Sequence, residues 1–192
     1  MDNLRKPRVQ LIRPTALHLP SYVSALERGW SPDSGRLEAA GEELKRIKTD
    51  ARLFVSGMED REGIGPAITL PDGSMVDRLP GFHRWMWDGE FCGTIGLRWQ
   101  AGTSELPPHC LGHIGYSVVP WKRQLGYATL ALALLLPEAK LVGLAYVEIT
   151  TDLDNHVSQR VILANGGVQA EQFTKLPQYG GKQGLRFRIH LP

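Results

Sequence analysis

The sequence predicts an α+β (mixed α/β) protein with about seven strands and about four helices. Short runs of alternating apolar and polar residues are typical of strands, and segments with apolar residues three or four positions apart are typical of helices. Three strand-like runs follow one another directly, and helical segments lie on both sides of them. Because 192 residues suit one large hydrophobic core, we expect residues 1–192 to form a single domain.

The first third of the chain begins with one strand and two helices. "VQLIRP" alternates and predicts a strand that stops at Pro14. "LPSYVSALERGW" has helical spacing, and "SGRLEAAGEELKRIKTDARLFVSG" predicts one long second helix with Ser34 as its N-cap. Residues 56–81 are rich in Gly, Pro and Asp, with weak strand signals around "AITL" and "SMVDRL". A loop region this long in a compact domain is usually functional or mobile.

The rest of the chain predicts a three-stranded meander and a strand-rich C-terminal part. "FHRWMW", "EFCGTIGLRWQ" and "LGHIGYSVV" are the meander strands, since the Asp88-Gly89 pair between the first two is a strong hairpin signal. A helix over residues 123–141 follows. Then come a strand at "YVEITTD", a helix at "DNHVSQRVILANGG", and two strands at "VQAEQF" and "LRFRIHL".

Composition and charge exclude several classes of protein. The formal net charge of +2 is too small for a nucleic-acid-binding face, so we expect no nucleic-acid partner. The longest apolar stretch, "YATLALALLL", has about half the length that a membrane span needs, and the N-terminus lacks the apolar core of a secretory signal. We therefore expect a cytoplasmic protein without membrane contact. Cys92 and Cys110 fit neither a disulfide framework nor a metal-ligand spacing, so we expect reduced thiols and no metal.

One strand–helix junction has the chemistry of an anion-binding site. After "YSVV", Pro120 stops the strand, Lys122 and Arg123 add positive charge, and Gly126 and Ala128 leave the backbone open. A helix N-terminus carries N–H groups without intrahelical acceptors and binds phosphate well. The junction therefore predicts a seat for a phosphate or pyrophosphate, or else an ordinary junction that binds nothing. The P-loop and dinucleotide-binding patterns are both absent here.

Two segments resemble the signature motifs of the GNAT superfamily of acetyl-coenzyme-A-dependent N-acetyltransferases. "VVPWKRQLGYATLAL" resembles motif A, whose core is [RQ]-x-x-G-x-[GA] directly after a strand. "DLDNHVSQRVILANGGV", further along the chain, resembles motif B. The matching residues are Arg123, Gly126 and Ala128 in the first segment and Asn155, Ser158, Asn165 and Gly166 in the second. Together the segments are most similar to a group of bacterial acetyltransferases.

The resemblance implies a GNAT-type mixed, mostly antiparallel sheet whose fourth and fifth strands splay apart to hold acetyl-coenzyme A. The pantetheine arm would hydrogen-bond to the fourth strand, the pyrophosphate would sit on amides at the start of the next helix, and Asn155 would hold the cofactor from the other wall. The implied cofactor-binding residues are Tyr116, Val118, Val119, Arg123, Gln124, Leu125, Gly126, Tyr127, Ala128, Thr129, Asn155 and Ser158.

The resemblance further implies an N-acetyltransferase in which a primary amine of a small molecule or a protein attacks the thioester directly in a ternary complex. The backbone N–H of Val118 would stabilise the oxyanion. Ser158 is the nearest hydroxyl that could protonate the leaving thiolate, and its alternative is a serine that only satisfies local backbone.

Two residues are the main candidates for the general base. His113, on the fourth predicted strand, has an imidazole that titrates near working pH, and its alternative is a core histidine satisfied by hydrogen bonds. Glu148 is a carboxylate in an apolar strand, which is costly to bury unless paired, and its alternative is a salt bridge with an arginine. Glu105 and His109 are weaker candidates.

Two other functions stay open at this point. A non-catalytic acyl-coenzyme A binding or sensing domain is suggested because "QRVILANGG" lacks the tyrosine found in many relatives, and motif A could hold a different phosphate ligand such as ATP. Residues 56–81 and "LPQYGGKQG" are expected to shape the acceptor site. A homodimer is expected from how often this fold pairs.

Overall fold

The computed structural model describes residues 9–33, 36, 38–70, 72–177 and 180–192. These residues form five α-helices and ten strands, and the fold is α+β, as the sequence predicts. No helix in this described part of the chain is long and apolar enough to cross a membrane. Ser34, the predicted N-cap, lies outside the described residues.

Most elements lie where the sequence predicts them. The helices are α1 (Leu19–Glu27), α2 (Ala39–Thr49), α3 (Ala51–Ser56), α4 (Tyr127–Leu141) and α5 (His156–Leu163). The strands are β1 (Gln10–Ile12), β2 (Glu59–Asp60), β3 (Ile68–Thr69), β4 (Met75–Val76), β5 (Gly81–Trp87), β6 (Phe91–Arg98), β7 (Ile114–Val118), β8 (Tyr146–Asp152), β9 (Val168–Thr174) and β10 (Gln183–His190). The count exceeds seven because β2, β3 and β4 are two-residue strands within the predicted loop region.

Two predicted helices have different boundaries in the structure. The long second helix is interrupted at Asp50, whose extended backbone ends α2 and whose side chain accepts a hydrogen bond from the N–H of Leu53 at 2.8 Å to cap α3. The helix predicted from residue 123 begins at Tyr127 instead. Gln124 and Gly126 have φ of 63° and 79°, and such left-handed residues cannot belong to a right-handed helix.

The strands form two main sheets and a separate hairpin. The first sheet has the order β1–β5–β6–β7, with β2 also pairing with β5. The second has the order β8–β10–β9 and is antiparallel throughout, with Glu148 opposite Arg188. β3 and β4 pair only with each other. The fourth and fifth predicted strands, β7 and β8, therefore belong to different sheets.

The chain packs as two compact units, each built from three separate segments. The first unit contains the described residues up to Glu59, His83–Ile95 and Tyr116–Ala131. Its core is an aromatic cluster in which the rings of Tyr22 and Trp85 stack with centroids 4.5 Å apart. Large aromatic side chains contribute much of the apolar surface that such a core buries.

The second unit contains Asp60–Phe82, Gly96–Gly115 and Leu132–Pro192. Side chains of β8 and β10 alternate between its core and the other face of their sheet, as the period of two in a strand requires. Val147 and Phe187 are buried, whereas Glu148 and Arg188 lie on the opposite face. The polar face of this sheet therefore carries the charges that the sequence places within the strands.

Candidate active site

The predicted anion seat lies in the first unit, between the end of β7 and the start of α4. A 3₁₀ turn, Pro120–Lys122, follows β7, and residues 123–126 form a loop that leads into α4. The left-handed backbone of Gln124 costs roughly 1–2 kcal/mol relative to an ordinary conformation. A Cβ built on Gly126 would meet nothing within 4 Å. Ligand access to the backbone is therefore open at this loop.

The backbone N–H groups of the loop and of the first residues of α4 make no hydrogen bond within the described part of the chain. The N–H of Leu130 donates to the carbonyl of Gly126 at 3.0 Å, which starts the helical ladder. Within the described part of the chain, no acceptor is present for the N–H groups of Gln124, Leu125, Gly126, Tyr127 and Ala128. A row of such donors at the positive end of a helix dipole suits a pyrophosphate.

Positive charge at this loop comes from Arg123 rather than from Lys122. The Nζ of Lys122 lies 2.9 Å from Oδ2 of Asp88 and 2.8 Å from Oε1 of Glu90, so its charge is compensated. The hydrogen bond to Glu90 is the main cause that raises the pKa of Lys122 above its ordinary value. The exposed Arg123 donates from Nε to the carbonyl of Val118 at 3.2 Å. Lys122, whose charge the sequence also places at this junction, therefore pairs with two carboxylates, and Arg123 is the exposed cation beside the loop.

Asp88 belongs to this arrangement, although the sequence predicts it only as a hairpin-turn residue. Its side chain is 9% exposed, and its Oδ2 accepts hydrogen bonds from Nζ of Lys122 at 2.9 Å and from the hydroxyl of Tyr127 at 2.5 Å. Burial raises the pKa of Asp88, but the hydrogen bonds from Tyr127 and Lys122 outweigh it and lower that pKa to about 2. Its partners lie 34 and 39 residues away in the chain, so no local motif signals the contact.

The end of β7 approaches its neighbour strand unusually closely. A Cβ built on Gly93 of β6 would lie 2.3 Å from the carbonyl oxygen of Ser117 and 2.9 Å from Cα of Val118. The N–H of Val119 donates to the carbonyl of Cys92 at 3.0 Å, and Nε1 of Trp30 donates to the hydroxyl of Ser117 at 3.1 Å. These contacts hold the backbone at Val118, the predicted oxyanion donor. Of the other predicted cofactor residues here, Tyr116 and Thr129 are half-buried and Val119 is buried.

His113, in the second unit, is fully buried just before β7. Its N–H donates to the carbonyl of Glu148 at 2.8 Å, and its Nδ1 accepts from the N–H of Glu148 at 2.9 Å. Burial is the main cause that lowers the pKa of His113 to about 4, so the ring is neutral at neutral pH. The ring is enclosed, its Nδ1 is already used by Glu148, and its buried Nε2 has no hydrogen-bond partner among the described residues. The geometry favours the alternative of a core histidine.

Glu148 is paired with two arginines of β10. Its Oε1 lies 2.7 Å from Nη2 of Arg188, and its Oε2 lies 3.6 Å from Nε of Arg186. The Glu148 side chain is 12% exposed. The structure therefore contains the salt bridge between Glu148 and an arginine that the sequence analysis gives as the alternative to a base role. Of the two weaker candidates, Glu105 is exposed and His109 is half-buried.

Asn155 and Ser158 meet at the N-terminus of α5. Asn155 is the N-cap, and its Oδ1 accepts from the N–H of Ser158 at 3.0 Å. The Nδ2 group of the exposed Asn155 has no acceptor within the described residues, which leaves two donors for a ligand. Ser158 is half-buried. Among the residues that the structure describes, no cluster of His, Cys, Asp and Glu could hold a metal ion.

A strand that packs against a glycine and leads into a helix N-terminus with unused N–H groups forms the candidate site of this α+β protein, and a family comparison identifies its class. Residues 8–168 match the family model described as an acetyltransferase (GNAT) domain. The chain therefore belongs to the GNAT acetyltransferase family and is an acyltransferase. Acetyl-coenzyme A is the cofactor of this family. In a comparison with curated protein sequences, nothing matches.

Solved structures of acetyltransferases share the fold at low sequence identity. The microcin C7 self-immunity acetyltransferase MccE, in complex with acetyl-CoA and AMP, is 11% identical, with a TM-score of 0.63 over 95% of this chain and 92% of that chain. RimJ of Mycobacterium smegmatis, in complex with a CoA disulfide, is 17% identical, with a TM-score of 0.61 over 96% and 83%. RimL, a ribosomal L7/L12 α-N-protein acetyltransferase, is 13% identical, with a TM-score of 0.60 over 95% and 94%.

Proposed function

We propose that this acetyltransferase moves the acetyl group of acetyl-coenzyme A to a primary amine of a small molecule or a protein, by direct attack in a ternary complex. The observation that carries the proposal is the row of N–H groups over residues 124–128, with the exposed Arg123 beside it. This donor set suits a pyrophosphate. When bound, acetyl-coenzyme A supplies a thioester carbonyl that an amine can attack.

The residues proposed to hold the cofactor fall into three groups. The first group, at the end of β7, would offer backbone N–H and C=O groups to the pantetheine arm, and it is Tyr116, Val118 and Val119. The second group, the loop and the start of α4, would offer backbone N–H groups and the Arg123 guanidinium to the pyrophosphate, and it is Arg123, Gln124, Leu125, Gly126, Tyr127, Ala128 and Thr129. The third group, at the start of α5, would offer the side chain of Asn155 and the hydroxyl of Ser158.

Val118 and Ser158 are proposed to handle the charges that develop during transfer. The N–H of Val118 would donate to the oxyanion, a type of contact that is worth a factor of about 10² to 10³ in rate. The close packing of Gly93 against this backbone supports the assignment, since it fixes the position of the donor. The hydroxyl of Ser158 would donate a proton to the leaving thiolate.

Glu148 is the better supported general base of the two main candidates. Its carboxylate is partly exposed, whereas the ring of His113 is enclosed. Its ion pairs with Arg186 and Arg188 hold the carboxylate in place, and as a base it would exchange one of them for the ammonium form of the acceptor. It would then take the proton directly or through one water.

The acceptor is proposed as a class rather than a compound. The similar structures include an acetyltransferase of the L7/L12 α-amino group and a self-immunity acetyltransferase, so this fold serves more than one kind of acceptor. A panel that contains peptides with free N-termini, lysine peptides and small amines covers both options. Residues 56–81 are proposed to shape the acceptor site, since their β3–β4 hairpin is exposed.

Two measurements test the proposal. Calorimetry should show binding of coenzyme A and not of ATP, and incubation of the panel with acetyl-coenzyme A should acetylate at least one amine. A preference for ATP would refute the cofactor assignment. Tight coenzyme A binding without turnover on any amine would refute the proposed transfer and would favour a non-catalytic acyl-coenzyme A binding domain.

A further inference from the structure

We propose that Asp88 is a positioning residue that clamps both ends of the loop over residues 123–126 and so orients its amides for the pyrophosphate. The inference rests on the proposed function, because it assigns the loop to coenzyme A. Asp88 itself makes no hydrogen bond with the free amides of the loop. It would act through Lys122 and Tyr127, the residues that immediately precede and follow the loop.

The clamp consists of one carboxylate oxygen with two donors. Oδ2 of Asp88 accepts from Nζ of Lys122 at 2.9 Å, at the end of the 3₁₀ turn, and from the hydroxyl of Tyr127 at 2.5 Å, at the start of α4. The Asp88 side chain is 9% exposed and Tyr127 is 3% exposed. Hydrogen bonds to a charged acceptor that is sheltered from water are among the stronger ones in proteins.

The loop needs such a clamp because it has little internal support. Gln124 and Gly126 adopt positive φ, and the amides of residues 124–126 have no acceptor within the described part of the chain. The loop conformation therefore depends on its two ends. A loop that is held in its binding conformation before the ligand arrives loses less entropy on binding.

The clamp also decides which cation meets the ligand. The sheltered carboxylate of Asp88 holds Lys122, whereas the pair of Lys122 with the 53% exposed Glu90 is screened by water, and the exposed Arg123 is left beside the amides. A Lys122 side chain released from Asp88 would be free to swing and to compete for the phosphates. Loss of the clamp would thus change both the geometry and the charge of the anion seat.

Three variants isolate the clamp from general stability. Tyr127→Phe removes one hydroxyl and keeps the ring packing. Asp88→Asn keeps the shape and removes the charge. Glu90→Gln is the matched control, because Glu90 also pairs with Lys122 but is 53% exposed and does not contact Tyr127. Thermal melts show whether each variant is folded.

The first readout uses the ligand-free protein and does not depend on the cofactor. Hydrogen exchange of the Leu130 N–H, which bonds to Gly126 in the first turn of α4, should be about tenfold faster in Tyr127→Phe and Asp88→Asn. The Glu90→Gln variant should exchange at the wild-type rate. Unchanged exchange in both clamp variants would overturn the clamp itself.

The second readout is calorimetric affinity for coenzyme A, with steady-state kinetics beside it. We expect Tyr127→Phe and Asp88→Asn to weaken binding about tenfold, with a raised KM for acetyl-coenzyme A and an unchanged kcat at saturation, and Glu90→Gln to stay within about twofold. Wild-type affinity in both clamp variants would overturn the positioning role. If the wild-type protein itself does not bind coenzyme A, the proposed function fails, and the exchange data still decide whether the clamp exists.

Discussion

His113, Glu148 and Asp88 illustrate how the role of a titratable residue depends on its enclosure. The imidazole is surrounded by the core and is held neutral, whereas each carboxylate is met by cations from other parts of the chain. A carboxylate that is buried without a cationic or hydrogen-bonding partner takes up a proton or turns towards water, whereas such a partner keeps it ionised inside the protein. The chemistry available to these residues is therefore set by neighbours that the local sequence does not reveal.

A His113→Gln variant should show a flatter dependence of stability on pH. Because burial lowers the pKa of His113 from 6.5 to about 4, the unfolded chain takes up a proton over this range that the folded chain does not. The stability contributed by the neutral ring is fully present above pH 6.5 and is lost as the pH falls towards 4. Urea unfolding between pH 4 and 8 measures the difference.

The control for this measurement is His156→Gln, which changes an exposed histidine at the start of α5. It should keep the wild-type pH dependence. If His113→Gln and wild type lost stability in parallel over the same range, the buried ring would not be the source of the acid sensitivity.

A Glu148→Gln variant should lower kcat by a factor of about 10² or more if Glu148 accepts the proton of the amine. Its affinity for coenzyme A should stay close to that of wild type, as calorimetry can check. Glu171→Gln is the control, since Glu171 also pairs with Arg186, at 3.1 Å, but lies on β9. A Glu148→Gln enzyme with normal kcat would remove Glu148 as the base.

At the scale of elements, single residues decide where helices begin and end. Asp50 separates α2 from α3 by capping the N-terminus of α3, and Gln124 and Gly126 delay the start of α4. An aspartate directly before an apolar run is a recognisable N-cap, so the sequence held a signal for the first break. The left-handed conformation of Gln124 has no such signal, because non-glycine residues rarely adopt it.

Gly93→Ala should destabilise the protein by about 2 kcal/mol and should weaken coenzyme A binding. The new Cβ would lie 2.3 Å from the carbonyl oxygen of Ser117, and backbone must shift to accommodate it. The shift would displace Val118. Chemical denaturation gives the free energy of unfolding, and calorimetry gives the affinity.

The matched control for this substitution is Gly41→Ala in α2, where an added Cβ meets nothing within 4 Å. Alanine there should stabilise the helix by about 0.5–1 kcal/mol, because glycine is a poor helix former. Equal effects of the two substitutions would mean that the close approach at Gly93 is not a structural constraint.

At the scale of the whole molecule, each compact unit combines segments that are far apart in the sequence. The first unit takes part of its core from α1 and part from β5 and β6, and the second unit joins residues before β7 to β8. The order of elements was predicted almost completely, since periodicity and turn residues are local properties. Of the three short strands, β3 and β4 lie at the weak strand signals in "AITL" and "SMVDRL", and only β2 was missed, because two residues carry little periodicity.

Coenzyme A should raise the melting temperature of the whole protein, and ATP at the same concentration should not. A ligand that binds only the folded state stabilises it by about 2.7 kcal/mol at one hundred times its Kd. Differential scanning fluorimetry across a concentration series measures the effect. A rise in melting temperature with ATP and none with coenzyme A would contradict the proposal that the anion seat binds coenzyme A. The homodimer stays a prediction that light scattering can test.

By itself, the sequence determined the α+β class, most element positions and the two motifs that place the chain among the GNAT acetyltransferases. These properties are carried by neighbouring residues, through periodicity, proline and glycine positions and the glycine-containing junction after β7. Only the tertiary structure decided that His113 is enclosed, that Glu148 is paired with arginines, and that Asp88 meets Tyr127. Burial and ion pairing depend on residues that folding brings together from distant segments, and no local sequence pattern specifies which residue will contact a given side chain.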